Sequence, residues 1–184
     1  MASDAWLTLL DAAQRGSPKA WLDALRACGS PEALCSQSPH ELLARGLPED
    51  AVATLANPER GKLERWREWL TGPRRALVTL GSAHYPQRLA EIPDAPLALW
   101  VEGPELALLA APQLAIVGSR SPTTSGRETA EQFAKYLSQR GLTITSGLAT
   151  GIDAASHRGA IAARASYGRP PRGGCRDARH SRPQ

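Results

Sequence analysis

The residues with the clearest chemical pattern lie in the stretch LAIVGSRSPTTSG at positions 114–126. An apolar run ends in Gly-Ser-Arg, small hydroxylated residues follow, and a helix is predicted to begin near Gly126. Helix N-terminal amides, hydroxyl groups and a guanidinium are all donors that bind phosphate oxygens. The pattern therefore predicts a phosphate site, which would be formed by Gly118, Ser119, Arg120, Thr123 and Gly126.

A second glycine loop, SGLATG at positions 146–151, follows the next apolar run and repeats the pattern. Ligands of parallel α/β sheets bind at the carboxyl ends of the strands, so Ser146, Gly147 and Gly151 are predicted to adjoin the first loop. Neither loop has the dinucleotide fingerprint G-x-G-x-x-G or the G-K-[ST] of a Walker A loop. A plain tight turn, with Arg120 paired to a surface carboxylate, is the alternative.

Asp153 and His157 stand four residues apart on one face of the helix predicted after the second loop. Such a pair can serve as acid and base, but i,i+4 partners commonly form a simple contact or a helix cap. No third polar group can be assigned to them, so pairing or capping is the favoured role and no catalytic set is predicted.

The elements around these loops predict a βαβ unit over residues 114–146. The runs QLAIVG and LTITSG are predicted to be buried, parallel strands, joined by a helix over 127–140. Its core-facing residues would be Ala130, Phe133, Ala134 and Leu137. The fold class is therefore α/β, with an incomplete Rossmann-like parallel sheet.

A small all-α domain is predicted to precede that sheet, over residues 1–70. Helical apolar spacing, three Ser-Pro pairs at 17–18, 30–31 and 38–39, and glycines at candidate helix ends predict four or five short helices. Residues 71–75 resemble a linker, and the runs 76–80 and 97–101 predict short buried strands.

Charge is unevenly distributed along the 184 residues, whose formal net charge is +4. Residues 163–184 hold six of the 22 basic and one of the 18 acidic residues, which leaves 16 basic and 17 acidic residues in 1–162. Overall charge is therefore no argument for nucleic-acid binding. The segment 163–184 is rich in Arg, Pro and Gly and is predicted to be a disordered basic tail.

Composition also bears on compartment and cofactors. The three cysteines, Cys28, Cys35 and Cys175, lack metal-ligand spacing, so reduced thiols and no metal site are expected. No secretory signal or membrane span is recognisable, and a cytoplasmic protein without a cofactor is expected.

Residues about 76–162 resemble the DprA/Smf family of bacterial DNA-processing proteins. The resemblance rests on LVTLGSAHYPQRLAEIPDAPLALWVEG, then IVGSRSPTTSGRETA, then SGLATGIDAASHRGAI, in that order. Residues 1–70 agree more loosely with the helical N-terminal domain of many members, which is similar to SAM or helix-hairpin-helix domains.

The resemblance implies an extended Rossmann-like domain that binds single-stranded DNA. Such proteins protect incoming DNA in natural transformation (competence), load the recombinase RecA, act as homodimers and have no established enzymatic reaction. Carried over by motif, Gly118, Ser119 and Arg120 would line the DNA-phosphate pocket, and Ser146, Gly147 and Gly151 would form the adjoining loop. Asp153 and His157 would be signature residues of uncertain role.

The segment after about Ala162 departs from the family, whose members continue for well over a hundred further residues. Two interpretations of 163–184 stay open: a frameshift that truncates the protein and removes the dimer surface, or a genuine basic arm that binds nucleic acid weakly. Truncation would leave a sheet edge and apolar surface uncovered.

An enzyme is the alternative function. Related Rossmann-like enzymes cleave the N-glycosidic bond of nucleoside monophosphates, and Asp153 and His157 could act there. The Pro-Gly-Gly-x-Gly-Thr loop of those enzymes is absent from this sequence, which favours the DNA-binding interpretation. A purely structural module, with the N-terminal helices as a protein-interaction domain, is the third possibility.

Overall fold

A computed structural model describes residues 3–103 and 105–165 of the chain, with side chains to residue 163. Most of the predicted basic tail, 163–184, lies outside the described residues. The chain divides into two compact units, one reaching to Trp100 and the other starting at Val101. The domain boundaries predicted at residues 70 and 76 remain predictions.

The first unit begins with six helices, where four or five were expected. They are α1 (Asp4–Ala12), α2 (Pro18–Cys28), α3 (Pro31–Cys35), α4 (Pro39–Ala44), α5 (Glu49–Ala56) and α6 (Arg60–Leu70). Two strands and a short helix follow, namely β1 (Arg75–Thr79), α7 (Gln87–Ala90) and β2 (Ala98–Glu102). β1 and β2 pair with each other in a two-stranded sheet, within one residue of the predicted positions.

Local signals set several of these helix ends. Ser38 forms a capping box with Glu41, and the hydroxyl of Ser30 accepts a hydrogen bond from the amide of Ala33. Ser17 precedes α2 without a side-chain cap. Gly29 ends α2 with φ of 80°, a left-handed conformation that glycine adopts without a steric penalty. The Ser-Pro pairs therefore start helices as predicted.

The core of the first unit is built around two buried tryptophans. Trp21 is fully buried and donates a hydrogen bond of 2.7 Å to the carbonyl oxygen of Arg15. Trp66 packs edge-on against Trp100 at a centroid distance of 5.2 Å. Asp11 is also buried here, and the ammonium group of Lys62 lies 2.6 Å from its carboxylate.

The second unit contains the predicted βαβ arrangement. A 3-10 helix (Leu106–Ala110) leads into β3 (Gln113–Ala115), α8 (Thr124–Gln139), β4 (Thr143–Thr145) and α9 (Ile152–Ala165). β3 and β4 are parallel, as predicted, with Leu114 opposite Ile144. Ala134 and Leu137 pack in one cluster with Ile144 of β4, and Ala130 is buried, so these three residues face the core as predicted.

Three details of this unit differ from the prediction. The strand expected to be buried over QLAIVG spans only three residues, and all three are exposed. Phe133, expected in the core, is 52% exposed. Among the described residues β4 is the one strand that pairs with β3, so the other edge of β3 has no strand partner there. Finally, α8 begins at Thr124, earlier than expected, because Thr123 caps it.

α8 and α9 cross in direct contact at Gly159. A Cβ atom on Gly159 would lie 2.0 Å from the carbonyl oxygen of Glu131 in α8. The adjacent Arg158 forms an ion pair of 3.3 Å with the same Glu131. This close approach fixes α9 against α8, so the N-termini of both helices are held at the strand ends.

Candidate phosphate site

The two glycine loops meet at the carboxyl ends of β3 and β4. The amide of Ile152, the first residue of α9, donates a hydrogen bond of 3.1 Å to the carbonyl oxygen of Ser119. The structure therefore brings together Gly118–Arg120 and Ser146–Gly151, the residues that the sequence placed side by side.

Glycine is required where the loops touch. Gly151 has φ of +89°, and a Cβ there would lie 2.2 Å from the carbonyl oxygen of Ser119. A Cβ on Gly118 would lie 2.8 Å from Cγ1 of Ile152. Side chains at either position would separate the loops, so these glycines allow the close approach as well as the turn.

The first loop uses three of the predicted ligands for its own structure. The hydroxyl of Thr123 accepts a hydrogen bond of 3.1 Å from the amide of Gly126, which closes the N-cap of α8. The hydroxyl of Ser119 accepts one of 3.1 Å from the amide of Ser121. Thr123 and Gly126 are thus cap residues, and the caps leave other donors of the loop free.

The free donors are backbone amides at the strand and helix ends. Within the described residues, no hydrogen bond involves the amides of the first two residues of α8, Thr124 and Ser125. The amides of Gly118, Ser119 and Arg120 in the first loop also lack partners there. Unpaired amides at a helix N-terminus carry partial positive charge and attract anions.

Arg120 supplies the full positive charge at this site. Its side chain is exposed, and no carboxylate among the described residues forms an ion pair with it. The alternative in which Arg120 pairs with a surface carboxylate therefore finds no partner in the described part of the chain. An unpaired guanidinium beside free amides can bind two oxygens of one phosphate.

The side chains of Ser146 and Asp153 hold the second loop in place. The hydroxyl of Ser146 donates a hydrogen bond of 2.6 Å to the carbonyl oxygen of Ile116, which joins the loop to the chain following β3. The carboxylate of Asp153 accepts one of 3.4 Å from the amide of Ala149. A Cβ on Gly147 would lie 3.0 Å from the same carboxylate. Asp153 thus stabilises the second loop from the first turn of α9.

His157 lies deeper in the same helix, in the second turn of α9. It is 7% exposed, and its Nε2 is buried without a hydrogen-bond partner among the described residues. Burial lowers the pKa of His157, while the carboxylate of Asp153 and the backbone of Ser146 act in the opposite direction. The predicted pairing is thus electrostatic: no hydrogen bond joins the two side chains in the described structure.

Sequence reasoning missed the residues that join the loops. Ile152, whose amide and side chain contact the first loop, carries no chemical signal. Leu148 has a positive φ of 57°, unusual for a branched residue, and is exposed in the second loop. The one available signal was the position of Ile152 directly after Gly151, at the predicted helix start.

The described residues offer neither of two other classes of site. No group of three or more His, Cys, Asp or Glu residues there could hold a metal ion. No helix in residues 3–103 or 105–165 is long and apolar enough to cross a membrane.

Comparison with known proteins matches residues 76–167 to the family described as DNA recombination-mediator protein A. Protein Smf of Escherichia coli (strain K12) is 45% identical over 93 residues, which are 50% of this chain and 25% of that protein. DNA processing protein DprA of Bacillus subtilis (strain 168) is 36% identical over 87 residues, 47% of this chain and 29% of that protein. The matched segment thus spans between a quarter and a third of each relative.

A solved structure extends the similarity beyond that segment. The X-ray structure of DNA processing protein A (DprA) from Streptococcus pneumoniae matches with a TM-score of 0.68 and 26% identity. The match covers 89% of this chain and 56% of that one. The α/β fold with helices preceding a short parallel sheet is therefore confirmed.

Proposed function

Because this chain belongs to the DNA recombination-mediator protein A family, we propose that the loops at the ends of β3 and β4 bind the phosphates of single-stranded DNA. The observation that carries the proposal is the set of unpaired amides in the first loop and the first turn of α8, next to the unpaired Arg120. Together they offer neutral and charged donors to one anion.

The chemistry of this site favours phosphate over base. The donors on the surface are backbone amides, hydroxyls and one guanidinium, and phosphate contacts of this kind carry no sequence information. The one carboxylate of the loops, Asp153, is buried and faces the amide of Ala149, so it does not repel an anion at the surface. Binding should therefore be insensitive to sequence and sensitive to salt.

We also propose that the site catalyses no reaction. The two candidate acid–base residues, Asp153 and His157, are 6% and 7% exposed. The carboxylate of Asp153 accepts a hydrogen bond from the amide of Ala149, and Nε2 of His157 is buried without a hydrogen-bond partner among the described residues. A general acid or base must reach the substrate directly or through one water molecule. This burial supports a structural role for both residues over cleavage of a glycosidic bond.

The remaining parts of the proposal rest on the family resemblance. We propose that the protein works in the cytoplasm, protects single strands during natural transformation and delivers them to RecA. The homodimer of the family is part of the same proposal. The matched segment represents a quarter to a third of the relatives named above, so these activities and partners are carried over from longer proteins.

Titration of the full chain with labelled oligonucleotides tests the phosphate site. Arg120→Ala should weaken single-strand binding about tenfold, equally for different sequences, and reduce the slope of log affinity against log salt by about one. Single strands should also bind more tightly than the matching duplex.

Arg140→Ala is the matched control. Arg140 lies at the C-terminal end of α8, and its guanidinium stacks on the ring of Tyr136 at 3.4 Å. With a rise of 1.5 Å per residue, Arg140 is about 24 Å from the first turn of α8. Both variants keep the arginines of residues 163–184, so any binding by that segment contributes equally to the two measured affinities. Equal loss of affinity in the two variants would contradict the proposed site.

A further inference from the structure

A cavity of about 790 Å³ lies in the first unit, between α1, α6 and β1. Its size is that of a ligand site, and the apolar residues that line it are Trp6, Leu7, Leu70, Ala76 and Leu77. Ala76 and Leu77 are consecutive in β1, so their side chains point to opposite faces of the strand. A cavity that contacts both of them, and no residue of β2, runs along the edge of β1 remote from β2.

The backbone of β1 has an open edge beside this cavity. The amide of Leu80, just after β1, donates a hydrogen bond of 2.9 Å to the carbonyl oxygen of Leu97, just before β2, so the two strands run antiparallel. In such a ladder alternate residues face the partner strand, which turns the amides of Leu77 and Thr79 away from β2. Among the described residues β1 has no second strand partner. The edge therefore offers main-chain hydrogen-bonding groups next to the apolar walls.

An unpaired positive charge stands at the start of this edge. Asp4 and Arg67, the charged residues of the cavity lining, neutralise each other, because Nη2 of Arg67 lies 3.0 Å from the carboxylate. Arg74 directly precedes β1, is exposed, and has no ion pair or hydrogen bond within the described residues. A strand paired antiparallel with β1 would end beside Arg74, so a carboxylate near the C-terminal end of that strand would be complementary in charge.

We propose that the open edge of β1 and the adjoining cavity bind an extended segment of another polypeptide, with a large apolar side chain and a carboxylate towards its C-terminal end. The segment adds a strand to the sheet and forms hydrogen bonds with Leu77 and Thr79. Its apolar side chain enters the cavity, and its carboxylate pairs with Arg74. None of these residues belongs to the phosphate loops, so the proposal does not depend on DNA binding.

A second copy of this chain is the less complementary occupant. Two β1 strands related by a twofold axis would pair antiparallel, which brings Arg74 of each copy beside the C-terminal end of β1 of the other. Residues 76–90, which form that end and the chain after it, contain no Asp or Glu. Such a dimer would leave both arginines without a carboxylate, whereas an acidic segment of a different protein supplies one.

Fluorescence anisotropy with the full chain tests the proposed charge preference. The probe is the fluorescein-labelled peptide Thr-Val-Thr-Leu-Thr-Val-Asp-Asp, and the comparison peptide has lysines in place of both aspartates. We expect the acidic peptide to bind with a Kd on the order of 100 µM, as for a small transient interface, and the lysine peptide at least about tenfold more weakly. No binding of the acidic peptide at about 1 mM would overturn the proposal.

Arg74→Asp should reverse this preference, because an anion replaces the unpaired cation. Aspartate suits the position, since Arg74 has φ of 61°, a left-handed conformation that Asp tolerates. Arg60→Asp is the matched control: Arg60 is exposed at the first residue of α6, about 15 Å along the helix from Leu70 at the cavity. The arginines of residues 163–184 are the same in all three proteins. An unchanged preference in the Arg74 variant, or equal effects of the two substitutions, would overturn the proposal.

Substitutions at Thr79 test the main-chain edge and the alternative occupant together. Thr79→Pro removes an amide that faces the open edge, a position where a strand tolerates proline, whereas Thr79→Val keeps the amide. The acidic peptide should bind the Pro variant at least about tenfold more weakly and the Val variant within about twofold of the unmodified protein. If sedimentation equilibrium instead shows a dimer of the unmodified chain that only the Pro variant dissociates, a second copy covers the edge and the proposal fails.

N-methylated peptides test strand addition without any change to the protein, so the test holds even if the Thr79→Pro variant does not fold. Only alternate residues of an added strand donate hydrogen bonds to its neighbour. Methylation of one alternate set of amides in the acidic peptide should therefore lower affinity at least about tenfold, and methylation of the other set should leave it within about threefold. Equal affinities of the two methylated peptides would overturn the proposal.

Discussion

The carbonyl oxygen of Ser119 accepts a hydrogen bond from the amide of Ile152 and lies 2.2 Å from where a Cβ on Gly151 would be. The carboxyl ends of β3 and β4 are thus joined backbone to backbone, with no room for a side chain. This junction places the free amides of the first loop beside the N-terminus of α9, and its integrity can be tested directly.

Gly151→Ala should disrupt the junction. The methyl group would clash with the carbonyl oxygen of Ser119, and φ of +89° would add about 1 kcal/mol of strain. Gly141→Ala is the matched control, because Gly141 has φ of +88° and nothing within 4 Å of its missing Cβ. Oligonucleotide affinity should fall at least tenfold in the Gly151 variant and stay within twofold in the Gly141 variant. Equal affinities would contradict the close approach.

Gly159→Ala should force α8 and α9 apart, because the new Cβ would lie 2.0 Å from the carbonyl oxygen of Glu131. We expect a loss of about 3 kcal/mol in the free energy of unfolding of the second unit, at the upper end of the usual cost of overpacking. The five tryptophans all precede Val101, so hydrogen exchange of α9 amides is the suitable measurement.

Gly61→Ala is the control for this substitution. Gly61 lies in α6, and its missing Cβ meets only the flexible guanidinium of Arg65, at 3.6 Å. Alanine favours helix by up to about 1 kcal/mol over glycine, so this variant should be at least as stable as the unmodified protein. If the Gly159 variant were as stable as the unmodified protein, the close contact of α8 with α9 would not contribute to stability.

Lys62→Met should destabilise the first unit by about 3 kcal/mol, because it leaves the buried carboxylate of Asp11 without its partner at 2.6 Å. Lys19→Met removes an ion pair of the same length whose two side chains are exposed, and should cost less than about 0.5 kcal/mol. Urea unfolding followed by tryptophan fluorescence measures both. The double variant Asp11→Asn, Lys62→Met should recover part of the loss; a similar small cost for both single variants would contradict this assignment.

Cys35 should react slowly with alkylating reagents in the folded chain. Burial raises the pKa of its thiol to about 11 from an ordinary value of 9.0, so at pH 8 about one thiol in a thousand is the reactive thiolate. Unfolding in urea should increase the rate roughly a hundredfold, as measured by peptide mass spectrometry in a Cys175→Ser background. Equal rates in the folded and unfolded chain would contradict the burial.

Much of the site was predictable because its signals are local. Each of these signals affects the backbone within a few residues of its own position. The structure has turns at glycines that follow apolar runs, helix starts at the Ser-Pro pairs, and a helix cap at Thr123. The parallel pairing of β3 with β4 also followed from a local pattern, since a strand, a helix and a strand of this length close in one way.

The errors concern burial, which depends on distant partners. Phe133 and the strand over QLAIVG have the composition of core residues, yet Phe133 is 52% exposed and all three residues of β3 are exposed. Among the described residues β4 is the one strand that pairs with β3. Asp153 and His157 show the opposite case, since both have polar side chains and both are buried.

The amino-acid sequence by itself determined the family, the order of helices and strands, and the residues of the two loops, because backbone preferences and motif spacing are encoded along the chain. The tertiary structure alone decided that Ser119 meets Ile152, that Arg120 has no carboxylate partner in the described residues, and that His157 is buried. The contact of Ser119 with Ile152 joins residues 33 positions apart, and the packing of α9 against α8 and β4 brings them together.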